Sequence, residues 1–140
     1  MMQKVFIDTD VILDLLAKRE PFYKEAAIIF SLIEENNLKG YTSPIVFANI
    51  HYILSKKLSK KLALKNLLKL RNLVNIAPIN EKIIDQSLNS NFKDYEDAIQ
   101  YYTAIAADIS ILITRNVKDY KNAEITICDP QQYLKMRLAK

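Results

Sequence analysis

The amino-acid sequence predicts an α/β fold built on a mainly parallel sheet of four to five strands, with helices covering both faces. Three observations carry this reading. Short apolar runs such as Val5-Phe6-Ile7 and Ile111-Leu112-Ile113 read as buried strands. Between them lie longer stretches whose apolar residues recur at helical spacing. Half of the 140 residues are hydrophobic, enough for one core, so a single domain over residues 1–140 is expected.

The first strand is residues 4–8, and Asp8-Thr9-Asp10 turns it into a helix over 11–18 that Arg19-Glu20-Pro21 stops. Pro21 suits the start of the next helix, 22–35, with Ala26, Ala27, Phe30 and Ile33 inward. Residues 36–40 form a turn and 40–43 a short strand ending in hydroxyls. Ser43-Pro44, a cap followed by proline, opens the helix 44–57. Ser59 caps 60–73, dense in leucine with lysines on its remaining face. Residues 74–78 are a strand, Asn80 caps the helix 81–88, and 89–93 is a polar loop. Asp94 caps a helix reaching about residue 107. The last two strands are 109–114 and 125–128, and Asp129-Pro130 starts a final basic helix, 131–140.

The totals exclude several classes of function. A single glycine, Gly40, leaves no Gly-rich loop for a nucleotide phosphate. No Cys/His cluster is present, so zinc is not expected. The one cysteine, Cys128, cannot form an intramolecular disulfide, which fits a cytoplasmic chain. No apolar run is long enough to span a bilayer, and Met1-Met2-Gln3-Lys4 leaves no room for a signal peptide, so no membrane association is expected. The formal charge of +4 is compatible with nucleic acid without demanding it. The lysine-rich stretch 56–69 reads as a solvated helix face, with a phosphate-facing surface as the alternative.

Open parallel sheets bind ligands beyond the carboxyl ends of their strands. Asp8 ends the first strand there. Thr114 ends the fourth and is followed by Asn116 and Asp119. The helix feeding that strand begins at the same edge, and Asp94 and Asp97, three apart, share one face of its first turn. These residues are expected to meet in one crevice. Carboxylates that close repel one another unless a cation is present, and hard oxygen ligands select Mg²⁺ or Mn²⁺. Such a site can lower the pKa of a bound water and stabilise charge on a phosphate, which is the chemistry of phosphodiester hydrolysis. The same residues also admit a plainer reading. Asp8 or Asp10 can cap the next helix, and Asp94 and Asp97 can stabilise a helix dipole with no metal. Asn49 falls on an apolar helix face, either as a core amide or looking into a site. His51 reads as structural or surface.

At three stretches the chain resembles a PIN domain, closest to the bacterial subgroup of VapC-like toxins. They are Phe6-Ile7-Asp8-Thr9-Asp10-Val11-Ile12-Leu13-Asp14, the run from Phe92 through Asp94-Tyr95-Glu96-Asp97 to Ala104, and Ile111-Leu112-Ile113-Thr114-Arg115-Asn116-Val117-Lys118-Asp119-Tyr120. The resemblance implies a three-layer α/β/α sandwich and a Mg²⁺- or Mn²⁺-dependent ribonuclease. Carried over by position, Asp8 is the first family acid, Asp97 the principal later one and Asp94 an additional one. Asp10 supports the site, and Thr114 positions a water or metal-bound group. The resemblance also implies a homodimer, with helices 22–35 and 44–57 as candidate surfaces, and an antitoxin partner. Two departures stand out. Asn49 occupies the place of a usual Glu, and Asn116 that of a usual acid, with Asp119 a turn further on. Asn offers an oxygen but no charge.

RNA would be guided to the sheet edge by Lys93, Arg115, Lys118 and Lys121. Two alternatives remain at this stage. One is a PIN-like module that binds RNA or protein through a degraded site, motivated by Asn49 and Asn116. The other is a haloacid-dehalogenase-type phosphatase, because Asp8-Thr9-Asp10-Val11 also resembles that family's first motif, in which the first Asp is a nucleophile.

Overall fold

A computed structural model of the chain describes residues 2–121 and 123–139. Five strands, β1 (Lys4–Ile7), β2 (Lys39–Thr42), β3 (Asn75–Ile76), β4 (Ile111–Ile113) and β5 (Thr126–Cys128), form one sheet in the order β3-β2-β1-β4-β5. Every pairing is parallel, with Phe6 opposite Tyr41 on one side and Leu112 on the other. The helices are α1 (Thr9–Leu16), α2 (Tyr23–Glu34), α3 (Pro44–Lys57), α4 (Lys60–Leu73), α5 (Glu81–Leu88), α6 (Tyr95–Ala106) and α7 (Pro130–Leu138), with a 3-10 turn over Val117–Asp119.

Alternation along β1 divides the core in two. Val5 and Ile7 point to a layer built with Val11 and Ile12 of α1, Ile29 and Phe30 of α2, Ile50 and Leu54 of α3, Leu70 of α4 and Tyr133 of α7. Phe6 points the other way, onto Tyr101 and Ala104 of α6, with Leu112 and Tyr120. The α5 helix packs on α6. This is the expected three-layer sandwich. At Gly40 a Cβ would lie 2.6 Å from Ile33 Cδ1, so the tip of that α2 side chain would have to shift to admit one.

Apart from β2, which keeps four residues but begins one earlier, the strands are shorter than the apolar runs predict. β3 is reduced to two exposed residues at the sheet edge, where only one neighbour offers pairing. β4 stops at Ile113, although the Thr114 N–H still donates to the Cys128 carbonyl at 2.9 Å. The final helix starts at Pro130 and ends at Leu138, and the Lys140 expected at its end lies outside the described residues. Side-chain oxygens cap α1, α3, α4, α5, α6 and α7 from Asp8, Ser43, Ser59, Asn80, Asp94 and Asp129. Among the described residues, no helix is long and apolar enough to cross a membrane.

Candidate active site

With β1 central in the sheet, the carboxyl ends of β1 and β4 are neighbours, and α6 begins beside them. Asp8 is the residue after β1. Its N–H continues the sheet to the Ile113 carbonyl at 3.0 Å, and its side chain is 6% exposed. The two carboxylate oxygens divide their work. Oδ1 accepts from the Thr9 N–H at 2.8 Å and so caps α1, while Oδ2 accepts from Thr114 Oγ1 at 2.9 Å and from the Tyr120 hydroxyl at 3.2 Å. Capping and crevice-facing are therefore both properties of one residue. Asp94 likewise caps α6, accepting from the Asp97 N–H at 3.1 Å.

Tyr120 was not anticipated from the sequence. Its buried hydroxyl lies between Asp8 and Asp97, 3.3 Å from Asp97 Oδ1. Burial, then the charges of Asp8 and Asp94, push Asp97 up to about 7. Burial, then the charge of Asp8, pushes Asp10 up to about 6. Asp8 is also raised, chiefly by burial. Burial and the two facing carboxylates hold the Tyr120 phenol above its ordinary value, so it stays a neutral donor.

Asp10 faces the segment after β4. Its Oδ2 accepts from the Arg115 N–H at 3.1 Å and from Asn116 Nδ2 at 3.3 Å, while its buried Oδ1 has no partner among the described residues. Asp14, one helical turn on, is fully buried and forms ion pairs with Arg19 at 2.9 Å and Arg115 at 2.8 Å. A second Arg115 nitrogen also reaches Asp14, at 3.1 Å, and the guanidinium lies 3.9 Å over the Phe22 ring. The Arg115 fork is thus largely engaged by the protein, while its partly exposed side chain still lines the crevice. Asn49 donates to Glu96 Oε2 at 3.3 Å, so a carboxylate from α6 stands beside the position where the resemblance implies an acid. His51 lies 3.5 Å from the Ser55 hydroxyl.

Asp8, Asp10, Asn49, Asp94, Asp97 and Asn116 line one crevice of about 500 Å³. Thr114 sits fully buried beneath it. Asp119, Lys93, Lys118 and Lys121 do not line that crevice. They surround a second cavity, on the other side of Tyr120. Sequence reasoning missed Glu96, which lines the crevice, and the buried Asp14 and Tyr120, which hold its acids and Arg115 from behind. Asp14 had a signal, four residues after Asp10 on one helix face. Glu96 lay inside the acidic turn already singled out, whereas Tyr120 had none beyond its position after Asp119.

The donor chemistry fits a hard divalent cation, with carboxylate and amide oxygens and no sulfur or imidazole. Asp10 Oδ1 is buried without a hydrogen-bond partner, and burial followed by neighbouring carboxylates raises Asp10 and Asp97, a setting that a bound cation would relieve. Among the described residues, no three His, Cys, Asp or Glu side chains are grouped closely enough to hold an ion without moving. The Tyr120 hydroxyl lies between two of these acids, Asp8 and Asp97.

An all-parallel α/β/α sandwich with acids gathered at the carboxyl edge of its central strand is an architecture shared by a known class of domain. The chain belongs to the PIN domain family, which matches residues 4–118. It is similar to Ribonuclease VapC1 of Aquifex aeolicus (strain VF5), at 26% identity over 136 residues, covering 94% of this chain and 93% of that protein. Among solved structures it resembles the DNA-bound VapBC of Salmonella typhimurium, with a TM-score of 0.70 and 16% identity over 92% of this chain and 99% of the other. It also resembles a toxin–antitoxin complex from Klebsiella pneumoniae, with a TM-score of 0.67 and 25% identity over 90% of this chain and 97% of that one. The phosphatase alternative falls with this assignment.

Proposed function

We propose that this chain is a Mg²⁺- or Mn²⁺-dependent endoribonuclease and the toxin of a toxin–antitoxin pair. The observation that carries the reading is the convergence of Asp8, Asp94 and Asp97 in one crevice of a PIN domain whose relative is a ribonuclease. Asp8 and Asp97 would hold the cation, helped by Asp94 and the neutral oxygen of Asn116. A bound cation supplies an acidified water and charge neutralisation on the phosphate. The chain's own groups prepare the site. Thr114 orients Asp8, Asp10 fixes the Arg115–Asn116 backbone, and Arg115, anchored on Asp14, walls the crevice. Exposed Lys93, Lys118 and Lys121 would steer RNA, with Asp119 among them.

The partner reading follows from the toxin–antitoxin complexes this fold resembles. Apolar surface for an antitoxin is densest on α4, where Leu62, Leu64 and Leu68 are exposed beside Leu58, and a homodimer through α2 and α3 belongs to the same reading. A cytoplasmic setting is part of the same reading. The second reading, a binding module with a degraded site, is favoured by Asn49 and Asn116, and Glu96 beside Asn49 weighs against it.

Mn²⁺ titration by calorimetry, paired with RNA cleavage by the purified protein, tests the proposal on wild type and Asp97→Asn. Metal binding and cleavage are both expected to be lost in the variant. Unchanged cleavage by Asp97→Asn would refute it, and RNA binding with no metal-stimulated cleavage in wild type would favour the second reading.

A further inference from the structure

We propose that the second cavity is a subsite for one unpaired nucleobase of an RNA strand, an inference that rests on the ribonuclease reading. The cavity has a volume of about 710 Å³, larger than the acid crevice and within the range that encloses a small ligand. One side is aromatic. Phe92 and Tyr101 have ring centroids 5.3 Å apart, and Tyr102 stands edge-on to Tyr101 at 5.1 Å. Tyr101 is buried and its hydroxyl accepts from the Glu124 N–H at 2.8 Å, so that side is fixed, while Phe92 and Tyr102 are only partly buried. The rim is cationic, with Lys93, Lys118 and Lys121 exposed against the two carboxylates Asp119 and Glu124.

This pairing of chemistries selects the occupant. An unpaired nucleotide presents a flat π face and a phosphate, and aromatic side chains with lysines meet both. The bases of a duplex are stacked away and offer no face to enter. The carboxylates of Asp119 and Glu124 can accept from exocyclic amino groups. The position relative to the acids is equally specific. The Phe92 ring stands edge-on to the Tyr120 ring at 5.8 Å, and the Tyr120 hydroxyl reaches Asp8 and Asp97 on the other side. Lys93 directly precedes Asp94. A base held here lies one ring away from the acids and orients the strand beside them.

The test measures binding of a fluorescein-labelled single-stranded RNA, and of the same sequence as a duplex, in EDTA so that no cleavage intervenes. Tyr102→Leu is expected to weaken single-strand binding roughly tenfold while leaving Mn²⁺ affinity unchanged. A 4-thiouridine RNA photocrosslinked to wild type is expected to label Tyr102 or Phe92, which keeps the test valid should the variant misfold. Equal affinity in Tyr102→Leu with crosslinks elsewhere, or duplex bound as tightly as single strand, overturns the subsite and leaves the ribonuclease reading standing. Wild type that neither binds nor cleaves RNA overturns both.

Discussion

The raised carboxylates make a prediction about the metal-free protein that needs no substrate. In the unfolded chain Asp97 and Asp10 ionise near 3.8, whereas in the fold they hold their protons to about 7 and about 6. Between these limits the folded state binds more protons than the unfolded one, so stability falls as pH rises and levels off above about pH 7. For Asp97 a rise of about three pH units corresponds to about 4 kcal/mol at roughly 1.4 kcal/mol per unit. Asp97 is only partly buried, so solvent screening reduces this to about 1–2 kcal/mol. Asp10 acts in the same direction. A combined loss of about 2 kcal/mol lowers Tm by about 6 °C in a chain of this size.

The assay is a melt in EDTA at constant ionic strength between about pH 5 and about pH 8, a window set by the folded values of Asp10 and Asp97. Tm is expected to fall across it, and Asp97→Asn to flatten most of the slope. Added Mn²⁺ raises Tm most at the upper end, because the cation binds the ionised carboxylates. A Tm that is flat or rising across the window in EDTA would refute the reasoning, because it would mean that these groups are not held out of water against one another.

Two further perturbations probe the supports of the site. Asp14→Asn weakens three charged hydrogen bonds to Arg19 and Arg115 at a fully buried position. With both arginines partly in solvent, a loss of about 2–4 kcal/mol is expected in denaturant unfolding, and a change under about 0.5 kcal/mol would show the cluster to be dispensable. Tyr120→Phe removes the hydroxyl between Asp8 and Asp97 and is expected to cost about 1–3 kcal/mol without metal. Mn²⁺ should then stabilise this variant more than wild type, and identical Tm gains in the two proteins would show that the hydroxyl does not set the spacing of the acids.

What was legible in the sequence divides along a physical line. Asp8 stood out because it ends an apolar run, and the end of a buried parallel strand is a local feature. Asp94 and Asp97 stood out because a helix period places them on one face. Both arguments need only neighbours within a turn or a strand. The remaining features depend on which strands are adjacent. Thr114 meets Asp8 across 106 residues, and only the order β2-β1-β4 brings them together. Arg115 is local to the proposed site in sequence and so reads as an RNA contact, yet the same strand order delivers it to Asp14, 101 residues earlier. Asn49 and Glu96 meet in the same way across 47 residues. Tyr120 is the sharpest case. Its neighbours along the chain are charged, which makes a turn at the surface the natural reading, but its ring is seated in the smaller core, with Phe92 edge-on to it. That seat turns a phenol into a neutral donor facing two of the acids. A search restricted to charged ligands passes over such a residue, because it contributes a neutral hydroxyl between two carboxylates rather than another carboxylate.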